Sequence, residues 1–312
     1  MKILGAFWAV LLVVLLAGAG LLQYLGPPRQ PGHGALAASA SAPQPPPWPG
    51  IPAPLPALLE DSVIFPGGKL PRLGPDGQRP RDAYAAQHVE AAGRPQVAVL
   101  LSGLGMAQAE TESAIATLPA AVSLAFSPYA SDVTPLLLKA REKGHEVLLS
   151  LPMEPQHYPQ DDAGDRALLT GNQEGVNRQN LEWALTRAAG YVGATGALGE
   201  LHGERFAGSA AQFGMVLQTL GARGLLYIDP RPATEASLPP GARAVDVAID
   251  ETVGAASEDA ALARLVEMAH EHGSALGLVS LPRPMTLERL AHWATTLDAA
   301  GVALVPVSQL VK

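Results

Sequence analysis

From Val97 to the C-terminus, short apolar runs that each stop at a glycine, proline, serine or acidic residue alternate with stretches of helical periodicity. That alternation constrains the fold more than any other feature of the chain. The opening unit runs from Arg94 to Pro128. Gln96–Leu101 is an apolar run ending at Ser102-Gly103, a helical pattern follows over about Ala107–Leu118, and Val122–Phe126 is a second apolar run closing on Ser127-Pro128. Strand, glycine turn, helix and strand in that order make a βαβ unit, which requires parallel strands. Further strands are expected over Glu146–Leu151, Tyr191–Ala194, Leu225–Ile228, Ala244–Ile249, Ala275–Val279 and Val302–Pro306. The intervening helices are expected over about Asp132–Lys143, Gln179–Ala189, Ser209–Leu220, Glu258–His272 and Thr286–Ala300. Such a series fits an α/β protein of the distorted (β/α) barrel type, with about seven units over 95–312, better than an open sheet.

The residues before the barrel divide in three. Ile3–Leu25 carries no charge. At about 1.5 Å per residue it is long enough for a hydrocarbon core of roughly 30 Å. Residues 1–26 therefore read as a single transmembrane anchor with Lys2 inside and the bulk exported, placing the barrel in the periplasm on the inner membrane. A cleaved signal peptide is the rival reading. Residues 27–57, with QPPPWPGIPAPLP at their centre, read as a Pro/Ala-rich spacer that cannot bury enough apolar surface to offset ordering entropy. Residues 58–94 are either an irregular arm packed on the barrel, with a short helix around Asp82–Ala91, or more linker.

Composition removes several function classes. A formal net charge of −8 offers no basic face for nucleic acid. With no cysteine there is no disulfide, thiolate ligand or cysteine nucleophile. No GxGxxG or Walker loop follows any strand, so a nucleotide cofactor is not supported, and no GxSxG elbow is present.

In parallel sheets the residues just beyond the strand C-termini face the ligand crevice. Several ionisable groups fall there. Glu154 follows the third strand in LPMEP, and Glu200, His202, Glu204 and Arg205 lie in GELHGERF after the fourth. Asp229 and Arg231 end the fifth in YIDPRP, and Asp246 and Asp250 flank the end of the sixth. A carboxylate as general base with a histidine as acid or metal ligand would suit a hydrolase. Each also has a plain structural reading. Glu154 is solvated in a proline turn, Asp229 closes an Asx-type turn, Asp246 pairs with Arg243 or Arg223, and Arg205 bridges Glu204 and Asp229.

The order of VAVLLSGLG, LPAAVSLAFSPYA, GHEVLLSLPMEP, the Asn/Leu/Trp-bearing helix before GYVG, RGLLYIDPR and VDVAID resembles the divergent polysaccharide deacetylase family. LPRLGPDGQRPRDAYA also looks like the segment preceding that domain in some members. The resemblance implies a NodB-like barrel tied to the cell envelope. In that superfamily an Asp-His-His set holds a divalent metal such as zinc, and a second Asp activates water against an acetyl group. It further implies that Ser102-Gly103 stands where the family carries an Asp or Asp pair, and that the family histidine of NNHMGSRF is lost or shifted onto His202. Asp229 is kept, Asp246 keeps part of an RD pair, and the late Gly-His is replaced within Val279-Ser280-Leu281. The candidate set is therefore Asp229, Asp246 and Glu154 for catalysis, Ser102, Arg205 and Arg231 for substrate, and His202 with Glu200 for a metal. Two readings stay open: a degenerate barrel that binds envelope glycan or a periplasmic protein partner, and an active metal-dependent polysaccharide or peptidoglycan deacetylase with a rearranged site.

Overall fold

The computed structural model describes residues 49–232, 238–249 and 255–312. The anchor expected over 1–26, most of the spacer and Asp250 lie outside the described residues. Among the described residues no helix is long and apolar enough to cross a membrane.

Two short strands, β1 (Leu59–Asp61) and β2 (Lys69–Pro71), pair antiparallel ahead of the barrel. The helical pattern expected around Asp82–Ala91 is a single turn, α1 (Pro80–Ala83). It stops because the next residue, Tyr84, turns its ring into the core, where its hydroxyl accepts a hydrogen bond from Leu55 N–H at 2.8 Å. Leu58, Leu70 and Tyr84 are all buried, so this segment packs on the barrel.

The barrel strands are β3 (Gln96–Leu104), β4 (Ser123–Phe126), β5 (Val147–Ser150), β6 (Gly193–Thr195), β7 (Leu226–Pro232), β8 (Ala242–Val245), β9 (Val247–Ile249) and β10 (Ser274–Val279). All their pairings are parallel, in the spatial order β8-β7-β6-β5-β4-β3-β10-β9. β8 and β9 are successive halves of one segment. The first half pairs with β7 and the second with β10, so the sheet returns on itself at Asp246 and makes a nearly closed barrel of seven staves. Asp246 N–H donates to Leu276 O at 2.9 Å, and its Oδ2 accepts from Leu276 N–H at 2.7 Å and from Arg243 at 3.0 Å. The aspartate thus holds the seam where the strand changes partner. A two-residue strand, β11 (Ala303–Leu304), pairs with the start of β3.

The helices are α2 (Gln108–Thr117), α3 (Thr134–Glu142), α4 (Glu174–Leu185), α5 (Glu204–Ala207), α6 (Ala210–Ala222), α7 (Ala255–His272), α8 (Pro284–Thr296) and α9 (Val307–Leu310). The α4 helix begins five residues before the expected start. Its first turn, Glu-Gly-Val-Asn, lacks apolar periodicity and is held instead by the Asn177 side chain, which donates to Leu169 O and accepts from Leu169 N–H. Side-chain alternation separates two cores. Ala98, Leu100, Ala125, Leu148, Leu226, Ile228, Leu276 and Leu278 fill the barrel interior. Val99, Leu101, Leu124, Phe126, Leu149, Tyr227 and Val279 face the helices. Following the interior phase upward from β3, β5 and β10 leads to Ser102, Ser150 and Ser280, all buried.

Candidate functional site

A cleft of about 660 Å³ opens at the strand C-termini. Its walls are Gly103, Met106, Ser127, Tyr129, Leu198, Leu201 and Leu281, with Asp162, Asp165 and Glu200 at its rim. The Tyr129 ring packs against Trp183 at 5.1 Å, and its hydroxyl accepts from Arg166 N–H at 3.1 Å, so the loop after β5 holds this aromatic in place. A larger groove of about 780 Å³ lies between α7 and α8, and no strand end contributes to it.

The candidate residues separate into three groups. Ser102, His202 and the neighbouring Ser280 come together. Ser102 Oγ donates to Ser280 O at 3.0 Å, and His202 Nε2 lies 3.3 Å from Ser280 Oγ. The local reason is Gly203. It sits at φ +64 at the start of α5, and a Cβ there would lie 2.5 Å from Met153 Cβ, so only glycine makes the turn that presents His202 to the barrel mouth.

The second group is engaged in structural bonds. Glu154 is buried and accepts from Thr170 N–H, from Thr170 Oγ1 at 2.6 Å and from Arg205 Nε at 3.0 Å. It ties the loop after β5 to α5. Arg205 is therefore bound to Glu154 rather than to Glu204 or Asp229. Glu200 pairs with Arg283 at 2.7 Å, and Asp246 is held at the seam described above.

The third group faces away from the barrel interior. Tyr227, Asp229 and Arg231 alternate with Ile228, so their side chains point toward α6. There Arg231 and Asp229 form a forked pair with Nη2–Oδ2 at 2.6 Å, and the guanidinium lies 5.2 Å over the Phe213 ring. Tyr227 stacks edge-on to the same ring at 5.4 Å, and burial pushes its phenol pKa well up, with Asp229 adding to the effect. Sequence spacing brought Asp229 to the correct strand end but could not give its face.

Burial also lowers the pKa of His145, which precedes β5 and whose ring nitrogens approach Val122 O at 2.9 Å and Ile115 O at 3.3 Å.

The sequence model of the divergent polysaccharide deacetylase family matches residues 99–311. The chain belongs to the divergent polysaccharide deacetylase family. A crystal structure of an uncharacterized protein from Agrobacterium tumefaciens C58 is similar at 31% identity and a TM-score of 0.72, covering 78% of this chain and 100% of that one. A putative cellobiose-phosphate cleavage protein from Enterococcus faecalis V583 is similar in fold, with a TM-score of 0.51 at 14% identity, over 70% of this chain and 99% of that one. No curated protein matches the chain.

For a divergent polysaccharide deacetylase, the implied group is a divalent metal on an Asp-His-His set. The donors here do not suit it. Among the described residues no group of three His, Asp or Glu side chains could hold a metal ion. His202 faces a serine hydroxyl, Glu200 an arginine, and Asp229 an arginine on the outer side of the sheet. Sequence reasoning assigned Ser280 no role beyond its place in the segment that replaces the late Gly-His, and assigned Tyr129 none. The two-residue alternation through Leu276 and Leu278 was the signal that would have placed Ser280 inside the mouth.

Proposed function

We propose that this member of the divergent polysaccharide deacetylase family is an envelope glycan-binding barrel, anchored in the inner membrane by residues 1–26 and facing the periplasm, that does not use the metal-dependent hydrolysis its family name implies. One observation carries the reading: Glu154 and Glu200 at the strand ends, and Asp229 on the outer side of the sheet, are each committed to an arginine, while the cleft keeps an aromatic and apolar wall with hydroxyls and a carboxylate rim. Cavities of this size with apolar walls and a few polar groups suit a sugar, whose flat faces pack on aromatic rings while its hydroxyls take hydrogen bonds. The uncharged stretch Ile3–Leu25 supports the anchor, and export follows from it.

The test uses the full-length chain. Titration calorimetry with acetylated envelope glycan fragments is expected to show binding that weakens at least about tenfold in Tyr129→Ala, which removes the aromatic wall. Equilibrium dialysis against zinc is expected to show no stoichiometric uptake. Stoichiometric zinc, with metal-dependent acetate release lost in His202→Ala, would overturn the reading in favour of an active deacetylase.

A further inference from the structure

We propose that Ser280, His202 and Glu204 form a metal-free acyl-transfer site that accepts an acetyl ester. The proposal rests on the cleft reading above for where the glycan lies, and adds a reaction to it. Three groups stand in the order that nucleophilic catalysis requires, with a hydroxyl, a base within reach of its proton, and a carboxylate behind the base. Ser280 Oγ is 3.3 Å from His202 Nε2, and His202 Nδ1 is 3.9 Å from Glu204 Oε1. Distances of this kind commonly shorten once substrate is bound.

The surroundings fix the two ends of the pair. The Ser280 backbone is pinned by the Ser102 hydroxyl at 3.0 Å, and His202 and Glu204 flank Gly203, whose left-handed turn places both beside the mouth. His202 and Glu204 keep 17% and 36% side-chain exposure, so the base and its carboxylate are open to solvent, and His202 directly follows the cleft-lining Leu201. Ser280 itself is 3% exposed and lines a small recess of about 10 Å³, whose walls Glu200 and Leu281 are shared with the main cleft. A recess of that size holds about one water-sized group. It therefore has room for no more than the methyl end of an acetyl group, and longer acyl chains are excluded.

The reaction balances with water as the only co-reactant. Ser280 Oγ bonds to the acetyl carbonyl carbon as its proton passes to His202 Nε2. The bond from that carbon to the sugar oxygen breaks, and His202 returns the proton to the leaving sugar hydroxyl. Water then attacks the acetyl-Ser280 ester, gives a proton to His202, and acetate leaves as Ser280 recovers its hydrogen. Glu204 is a positioning residue that holds the imidazole and stabilises its cation.

Two measurements test this on the full-length chain in EDTA. With p-nitrophenyl acetate, a burst of about one equivalent is expected, with one acetyl group on the peptide carrying Ser280, and p-nitrophenyl butyrate is expected to react at least about tenfold more slowly. Ser280→Ala should abolish the burst. No acetyl on that peptide, or an equal burst in Ser280→Ala, would overturn the proposal. The chain has no cysteine, so Ser280→Cys introduces a single thiol whose alkylation by iodoacetamide reports access and activation without any ester. Alkylation is expected to be at least about tenfold faster than in Ser280→Cys/His202→Ala, and equal rates or no alkylation would refute the serine–histidine pairing. Ester turnover without glycan binding would defeat the cleft reading and leave this site standing. Glycan binding without acetyl transfer would do the reverse.

Discussion

Restoring an acidic residue beside the first strand is expected to damage this barrel rather than repair it. Gly103 stands in the Ser102-Gly103 pair where the family resemblance implies an Asp or Asp pair. Its φ is +73, a region L-residues enter at about 1–2 kcal/mol. A Cβ there would lie 2.8 Å from the Ser280 carbonyl oxygen and 2.9 Å from Leu281 Cδ2. The leucine methyl can swing aside, but the carbonyl oxygen belongs to a backbone that Ser102 already holds at 3.0 Å. Overpacking of this kind costs about 1–3 kcal/mol. In Gly103→Asp, a carboxylate at this half-buried position beside that carbonyl oxygen adds roughly another 1–3 kcal/mol of desolvation and repulsion. The total is about 3–8 kcal/mol, against a whole-domain stability of about 5–15 kcal/mol. At about 2–4 °C per kcal/mol for a domain of this size, melting falls by at least roughly 6 °C. Gly103→Ala, which lacks the carboxylate, should show the smaller part of the loss. Circular dichroism melts and urea titrations of the full-length wild type and both variants measure this, with zinc dialysis of Gly103→Asp alongside. Melting of Gly103→Asp within about 2 °C of wild type, or stoichiometric zinc uptake by it, would refute the argument that this position has closed around the absence of a side chain.

Two further expectations follow from buried ionisable groups. Asp229→Asn removes the carboxylate from a buried forked pair and should lower stability by about 3–5 kcal/mol, while Asp229→Leu with Arg231→Met recovers most of that; urea midpoints decide it, and a neutral Asp229→Asn would show that the pair does not hold the strand end. For His145, burial sets the folded-state pKa below the unfolded value of about 6.5, so as pH falls through and below that value the unfolded chain takes up a proton that the folded one refuses. Stability is therefore lost on acidification, by at most about 1.4 kcal/mol per pH unit from this group. His145→Gln should lose less between pH 7.5 and 5.5 than the wild type, and parallel urea midpoints for the two would contradict the assignment.

The strand–helix alternation made the barrel legible because parallel strands buried on both faces must be short and apolar, and each crossover needs a helix. Element ends were less legible. The start of α4 is set by the Asn177 side chain bonding a loop eight positions earlier, and α1 is cut short by where the Tyr84 ring finds room. The strand expected over Val302–Pro306 pairs only at Ala303 and Leu304, since β4 takes over the same edge of β3 farther along.

By itself the sequence determined the class of fold, the number of staves, and which loops meet at the mouth, because those depend on periodicity and on the geometry of parallel connections. The family resemblance further implied that Ser102-Gly103 stands where an acidic pair would be expected. Only the tertiary structure decided which side of the sheet each ionisable side chain occupies and what it meets there. Asp229 lies one residue from the interior-facing Ile228, and that single step turns its carboxylate outward to Arg231. Asp246 is spent where one strand passes from β7 to β10. Ser280, noted in the chain only as part of the segment that replaces a late Gly-His, meets His202 from 78 residues away. Partner choice of this kind is set by strand phase and by the curvature of the closed sheet, so it exists only once the barrel has formed.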